Sequence, residues 1–485
     1  MILTCQQMQQ CEETAFARGI SAATLMEEAG QGIARVVQQF FPAPGTLILY
    51  LGKGNNAGDA LVAARELVQK GWRVLARLTA PPAEMKELPR GHFGPWLTQI
   101  DDARAAAASS RRPLVLLDGL LGIGSSGEMR PELVPLATEM HELRQRHKAT
   151  IIAMDLPSGL GGKKAVEADI TACIAHIKDT LLEDGAERNV GRIALVPLPA
   201  LAEAQGDAGA AILTPHTVRT WLPHRHNDWH KGDAGRVLIL AGSRGLLGAA
   251  ELACRGALHA GAGLTTLLVK EDVYDLLAAR VPPEVMVKCV DDYREALDLK
   301  ADALAIGPGL GFEHEKEILE VLRQVKAPCV LDADAITMLS RHPDTLDAMH
   351  GLPRLLTPHP GEMTRILDSF PGWHGMDRRT LAERFVKAAP GRSLLLKGAR
   401  TIIATAGEVT LYNTTGHSGM ASGGMGDVLT GVCATFAAQR VPLHRAAALG
   451  AWLCGHAAER AGHHPITASE LAAHLSAAMR VEAEF

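Results

Sequence analysis

Gly416-His417-Ser418-Gly419-Met420-Ala421-Ser422-Gly423-Gly424-Met425-Gly426-Asp427 runs without a break into the apolar Val428-Leu429-Thr430-Gly431-Val432. Glycines that let the backbone approach a ligand closely here open onto a predicted helix start, where free N–H groups and the helix dipole favour phosphate. Asp427 stands at that junction, placed to take a proton from a hydroxyl beside bound phosphates. An anion cradle with an adjacent base is the equipment of phosphoryl transfer, and it points to an enzyme.

Outward from this loop, apolar strand-like runs alternate with amphipathic helical stretches, the pattern of parallel sheets covered by helices. In the first half the predicted strands are Leu47–Leu51, Val74–Leu78, Leu114–Leu117, Ile151–Met154 and Ile193–Val196. In the second they are Val237–Ala241, Thr265–Val269, Ala303–Ile306, Cys329–Leu331, Leu394–Leu396 and Thr401–Ala404. Helices are expected over 60–70, 131–147, 248–260, 313–326, 428–439 and 443–461. The fold class is therefore α/β. A Pro- and Gly-punctuated stretch from Pro197 to Pro215 is the best linker, which divides the chain into domains 1–212 and 213–485.

The bulk numbers narrow the function. At 485 residues the chain is long enough for two full cores. A net charge of -5, from 49 basic and 54 acidic residues, argues against nucleic acid as a partner. Eight cysteines are scattered without a CxxC pair, which reads as reduced thiols in a cytoplasm. Neither a secretion signal nor a run of apolar residues long enough for a membrane span is visible.

In the first half, strand Leu47–Leu51 runs into Gly52-Lys53-Gly54-Asn55-Asn56-Ala57-Gly58-Asp59. The stretch fits a dinucleotide-binding G-x-G-x-x-A loosely, but the second strand lacks the acidic residue expected about 20 positions on. The Lys-Ser/Thr ending of a P-loop is missing too. Two further strands end in polar groups: Asp118 before Gly119-Leu120-Leu121-Gly122-Ile123-Gly124, and Asp155 before Leu156-Pro157-Ser158-Gly159. Strand C-termini line the ligand crevice of a parallel sheet, so these three ends converge on one expected site. Each Asp alone reads as an ordinary capping residue. Together with Asn and Ser oxygens they favour a polar ligand and a hard cation rather than zinc.

This set resembles the YjeF N-terminal domain, the NAD(P)H-hydrate epimerase family, over roughly residues 10–200. The resemblance implies a Rossmann-like three-layer domain and a potassium ion (K+) held by Asn56, Asp118 and Ser158. It implies hydrate contacts from Asn55, Asn56, Ala57, Gly58 and Asp59, from Gly122, Ile123, Gly124, Ser125, Ser126, Gly127 and Glu128, and from Asp155, which is also the expected catalytic residue. Lys178 and Leu181-Leu182 follow a family pattern loosely. Two departures stand out: Ala57 and Ala60 replace family glycines, where a methyl group opposes positive φ or close backbone approach. The stretch after Ser158-Gly159 is also short and basic (Gly161-Gly162-Lys163-Lys164).

In the second half, Gly242-Ser243, Gly307-Pro308-Gly309-Leu310-Gly311, Asp332-Ala333-Asp334, Thr357-Pro358-His359-Pro360-Gly361-Glu362 and Lys397-Gly398 each follow an apolar strand. Each is by itself a turn. Five such turns ending at Gly424–Asp427 resemble the YjeF C-terminal domain, the ADP- or ATP-dependent NAD(P)H-hydrate dehydratase family with a ribokinase-like fold, over about residues 225–480. By that resemblance Ala249, Gly309, His359 and Asp427 contact the hydrate, and Asp427 is catalytic. Lys397, Gly398, Ala399, Arg400, Thr401 and Gly426 hold the nucleotide. The implied co-substrate is ADP, with magnesium (Mg2+) neutralising its phosphates, and the implied substrates are NADHX and NADPHX. The resemblance also implies a homo-oligomer, a tetramer or larger. Departures here are His417-Ser418 for Asn-Pro, and Met425 where a small residue is usual. The alternative is a ribokinase-like small-molecule kinase whose N-terminal half is an inactive ligand-binding or docking domain.

Overall fold

The computed structural model describes residues 1–124, 127–204, 206–462 and 464–481. It divides into two compact units, Met1–Ala208 and Gly209–Phe485. The division precedes the sequence-based joint because Ala210–Ile212, inside the expected linker, pairs in parallel with Thr410–Asn413 of the second unit.

Among the described residues, the first unit holds a seven-stranded parallel sheet. Its order is Thr98–Gln99, Arg73–Leu78, Thr46–Leu51, Leu114–Gly119, Thr150–Met154, Ile170–Ile174, Arg192–Val196. Strand Thr46–Leu51 is buried throughout, and its side chains alternate between two cores. Leu47, Leu49 and Leu51 pack with Ile33, Val37 and Leu61 on one face. Ile48 and Tyr50 pack with Leu116, Met140 and Leu143 on the other. Two cores, one per sheet face, make the three-layer architecture. Helix Ala22–Phe40, capped by Ser21, covers the first face and was not predicted. Helix Asn55–Gln69 begins five residues before its expected position (60 minus 55), at the cap Gly54, so the predicted binding loop 55–59 is the helix's first turns.

The second unit holds a ten-stranded sheet among the described residues. Seven of its strands, from Arg392–Leu396 to Val285–Cys289 and including Arg236–Leu240 and Ala303–Ile306, run parallel. Strand Thr401–Thr405 runs antiparallel to both of its neighbours, Arg392–Leu396 and Thr410–Asn413. Helix Met425–Ala438 is buried from Val428 onward and lies against helix Leu247–His259, where a methyl group at Gly431 would overlap the carbonyl oxygen of Ala253. That close approach fixes the start of the helix, and Asp427 with it. Among the described residues no helix is long and apolar enough to cross a membrane.

Candidate active sites

In the first unit the sheet brings its polar strand ends together. Asp118, fully buried at the end of Leu114–Gly119, accepts hydrogen bonds from the Ser158 backbone N–H (2.8 Å) and hydroxyl (2.7 Å). The Ser158 Oγ in turn accepts from the Leu121 N–H at 3.0 Å, and Asn56 Nδ2 donates to the Leu121 carbonyl at 2.8 Å. Asn56, Asp118 and Ser158 therefore surround one short segment, 119–121. Burial pushes the Asp118 carboxyl up, while the Ser158 and Leu120 hydrogen bonds pull it back. Gly122 lies beside the Asn56 side chain, and Ile123 packs on the cluster of Leu3, Met8 and Leu25. Gly124, Gly127 and Glu128 are exposed, and a Cβ at Gly162 would stand 3.0 Å from the Glu128 Cα. Ser125 and Ser126 lie outside the described residues.

Asp155 follows strand Thr150–Met154 with φ of 63°, a left-handed conformation that Asp tolerates better than most residues. Its Oδ1 accepts from the Ile174 N–H at 2.9 Å and from the ammonium of Lys178. Asp59, half-buried on the second turn of helix Asn55–Gln69, has its carboxyl pushed well above the usual range by desolvation, and then by the charges of Asp155 and Glu12. Ala57 and Ala60 are buried in the same helix, in right-handed backbone. The expected conflict between their methyl groups and a left-handed turn does not arise.

In the second unit, Asp427 sits half-buried in the first turn of helix Met425–Ala438. Gly424, at φ 91°, makes the turn into that helix. Burial, and then the charge of Asp332, push the Asp427 carboxyl up to about 7, against the opposing pull of Lys397. Asp332, which the sequence placed in one of the five turns without a role, is the hub. Only 2% exposed, it accepts from Lys397 Nζ (2.8 Å), Thr357 Oγ1 (2.9 Å) and Thr430 Oγ1 (2.9 Å). The only signal in the sequence was its place immediately after strand Cys329–Leu331. A Cβ at Gly426 would stand 3.2 Å from Lys397 Nζ, so two of the predicted nucleotide-binding residues adjoin Asp427.

The remaining predicted residues fall into two groups. Ala249 touches Gly309, whose φ of 57° lets its loop press onto the start of helix Leu247–His259. One turn later Leu252 of that helix lies against Gly424, so the helix borders both loops. His359 caps helix Pro360–Leu367: its Nδ1 accepts from the Gly361 N–H (3.0 Å), and Glu362 Oε2 accepts from the His359 N–H (2.8 Å). The ring is half exposed. Lys397, Gly398, Ala399, Arg400 and Thr401 form the turn between two antiparallel strands, and the Lys397 N–H donates to the Pro358 carbonyl (2.9 Å). Arg400 is buried, while Gly398 and Ala399 are exposed.

Comparison with known proteins follows this division. Residues 237–480 match the NAD(P)H-hydrate dehydratase family, and residues 22–180 match the family described as YjeF-related protein N-terminus. The chain is 35% identical over 496 residues to the bifunctional NAD(P)H-hydrate repair enzyme Nnr of Moorella thermoacetica, covering 95% of this chain and 92% of that one. The protein of the same name from Escherichia coli is 32% identical over 459 residues, covering 92% of this chain and 87% of that one. A solved ribokinase-like superfamily protein from Enterococcus faecalis is similar at a TM-score of 0.50 and 28% identity, covering 57% of this chain and 98% of its own.

Proposed function

This chain belongs to the family of bifunctional NAD(P)H-hydrate repair enzymes, and we propose that its two units divide the repair, residues 1–212 epimerising the hydrate and residues 213–485 dehydrating it. The enzyme interconverts the R and S epimers of NADHX and NADPHX and dehydrates the S epimer at the expense of ADP. The small-molecule kinase alternative draws no support from the matched families.

The observation that carries the dehydratase assignment is the placement of Asp427 beside the Gly424–Gly426 turn and Lys397, where burial and the Asp332 charge push its carboxyl up to about 7. Water added to the reduced nicotinamide's enamine leaves a hydroxyl on the carbon bonded to the ring nitrogen. Asp427 takes that hydroxyl's proton, and the oxygen attacks the terminal phosphoryl group of ADP, from which AMP leaves. The new phosphate ester then breaks at its C–O bond, with the ring nitrogen's electron pair assisting. Loss of a proton from the neighbouring carbon restores the double bond. A carboxyl near pKa 7 is matched to this task. Lys397, Gly398, Ala399, Arg400, Thr401 and Gly426 hold the nucleotide, while Ala249, Gly309 and His359 hold the hydrate. A magnesium ion entering with the nucleotide needs only one or two protein carboxylates, and Glu362 beside Lys397 fits that need. Magnesium bound there supplies positive charge against the phosphates.

For epimerisation, Asp155 takes the same hydroxyl proton. The C–O bond becomes a carbonyl, the ring C–N bond breaks with its electron pair, and the nitrogen takes a proton. Reclosure on the other carbonyl face gives the other epimer. Residues 55–59 and 122–128 hold the ligand. The Asn56, Asp118 and Ser158 oxygens are a hard donor set carrying one charge, which fits potassium better than a transition metal. Potassium held there supplies a weak positive charge near an anionic nucleotide. Eight unpaired cysteines fit a reducing, cytoplasmic setting. The homo-oligomer, a tetramer or larger, rests on family resemblance and is tested by light scattering.

The deciding experiment follows absorbance at 340 nm on mixed NADHX epimers with ADP, ATP or neither. The expected result is ADP-dependent recovery past the amount of the S epimer. A halt at the S epimer removes the epimerase assignment, and no recovery removes both.

A further inference from the structure

Lys178 is a fully buried lysine whose function the repair chemistry leaves unexplained. Its ammonium has three protons and three partners: Asp155 Oδ1, the Ile174 carbonyl at 2.7 Å, and Cys173 Sγ at 3.9 Å. No proton is left for a ligand, and no surface is open to one. Removing a lysine from water is costly unless it is paired, so this ion pair has to be accounted for. Burial opposes the charge, but Asp155 together with Cys173 and Glu12 outweighs it, and the lysine titrates above its ordinary value.

The geometry at Asp155 shows what the pair does. Its backbone N–H donates to the Ala172 carbonyl at 2.8 Å, and its Oδ1 takes both the Ile174 N–H and the lysine. Among the described residues, Oδ2 accepts nothing. One oxygen is pinned and the other is presented, in a residue held at positive φ. We propose that Lys178 is a positioning residue for epimerisation: it fixes the Asp155 carboxylate, which stands among acidic neighbours, so that only Oδ2 meets the hydrate. Those neighbours are Asp59 from helix Asn55–Gln69, Glu12 and Cys5 from helix Cys5–Ala17, Cys173 at the end of strand Ile170–Ile174, and Asp179 beside Lys178 itself. Without the lysine, the carboxylate would face these acids without its bonded cation.

This inference rests on Asp155 being the epimerase base, and the test separates the two. Three full-length variants, Asp155→Asn, Lys178→Met and Lys178→Arg, are assayed on R-NADHX, with dehydration of pure S-NADHX by the same chain as the internal control. Lys178→Met is expected to lower epimerisation kcat by roughly 10²-fold while KM moves by less than about 3-fold, as for a misplaced catalytic group. The acid limb of its pH–kcat profile should move to higher pH, because removing a cation disfavours the ionised carboxylate. Lys178→Arg keeps the charge in the wrong shape. It should lose about 10-fold in kcat with the acid limb in place. Unchanged epimerisation in Asp155→Asn sinks the base assignment. Loss there, with an unaltered kcat and pH profile in Lys178→Met, overturns the positioning role alone. Should Lys178→Met fail to fold, Lys178→Arg decides: a lowered kcat at constant KM supports the proposal, and wild-type kcat overturns it.

Discussion

Both units place a lysine, fully buried in the first and half-buried in the second, against an aspartate at a strand's C-terminal end, and they use the pair in opposite ways. In the first unit the paired carboxylate, Asp155 with Lys178, is itself the proposed base. In the second, Lys397 pairs with Asp332, and the proposed base is a third residue, Asp427, which feels both. A base bonded directly to its cation is held in one orientation. A base set beside an already neutralised pair, in a half-buried site, is pushed up to about 7. The first arrangement suits a carboxylate that must meet its ligand with one particular oxygen. The second suits one that takes a proton only when a bound phosphoryl group is there to be attacked. Where the partner cation sits therefore decides whether it orients the base, as at Asp155, or only opposes the burial that raises it, as at Asp427.

The sharpest test of this contrast is Asp427→Asn. Dehydration should fall by at least ~10³-fold while epimerisation by the same chain is retained. Recovery at 340 nm from pure S-NADHX with ADP measures the first, and chromatographic interconversion of the epimers measures the second. Asp155→Asn should give the mirror image with a smaller loss, roughly 10²-fold in epimerisation and none in dehydration. A variant that damages both activities breaks the division of labour.

Asp332→Asn probes the second arrangement more finely. Asp427 works as a base only when ionised, so wild-type dehydration kcat should fall as pH drops below about 7. Removing the Asp332 charge takes away a cause that raises the Asp427 carboxyl and leaves Lys397 to pull it down. The acid limb should therefore move to lower pH by about 1 unit, with a loss of order 10-fold in kcat from the loosened hub. A limb that stays near 7 would assign the raised value to burial alone.

Much of this frame was legible beforehand. Every predicted strand forms, because parallel strands buried on both faces read as continuous apolar runs. Strand Ile170–Ile174 escaped notice because its Thr171, Ala172 and Cys173 are too short to stand out, although the strand is buried. Helix Ala22–Phe40 escaped because Gly30 and Gly32 interrupt its pattern. Proposed site residues stood out where they end strands, as Asp118 and Asp155 do, or open a helix behind a glycine turn, as Asp427 does. Their partners were not. Asp332 gathers Thr357, Lys397 and Thr430 from three separate elements, and only the sheet order brings these side chains together. Lys178 reaches Asp155 only because strand Ile170–Ile174 lies next to Thr150–Met154.

The smallest expected effect concerns the two alanines that replace family glycines. The sequence suggested that their methyl groups obstruct the binding loop, but both lie inside helix Asn55–Gln69 and are fully buried. The Ala60 methyl points at Gly119, where a Cβ would stand 3.4 Å away, so it packs behind the strand end that carries Asp118. Glycine at this position adds backbone entropy to the unfolded chain and removes a buried methyl group. Ala60→Gly should therefore cost about 1–2 kcal/mol of stability in the first unit, read by urea denaturation. Epimerisation at low temperature should stay within about 2-fold, since no backbone torsion near Asp59 or Asp155 depends on the change. A several-fold rise in epimerisation would mean that the methyl does hold the ligand away, and that this chain gave up activity for a firmer helix.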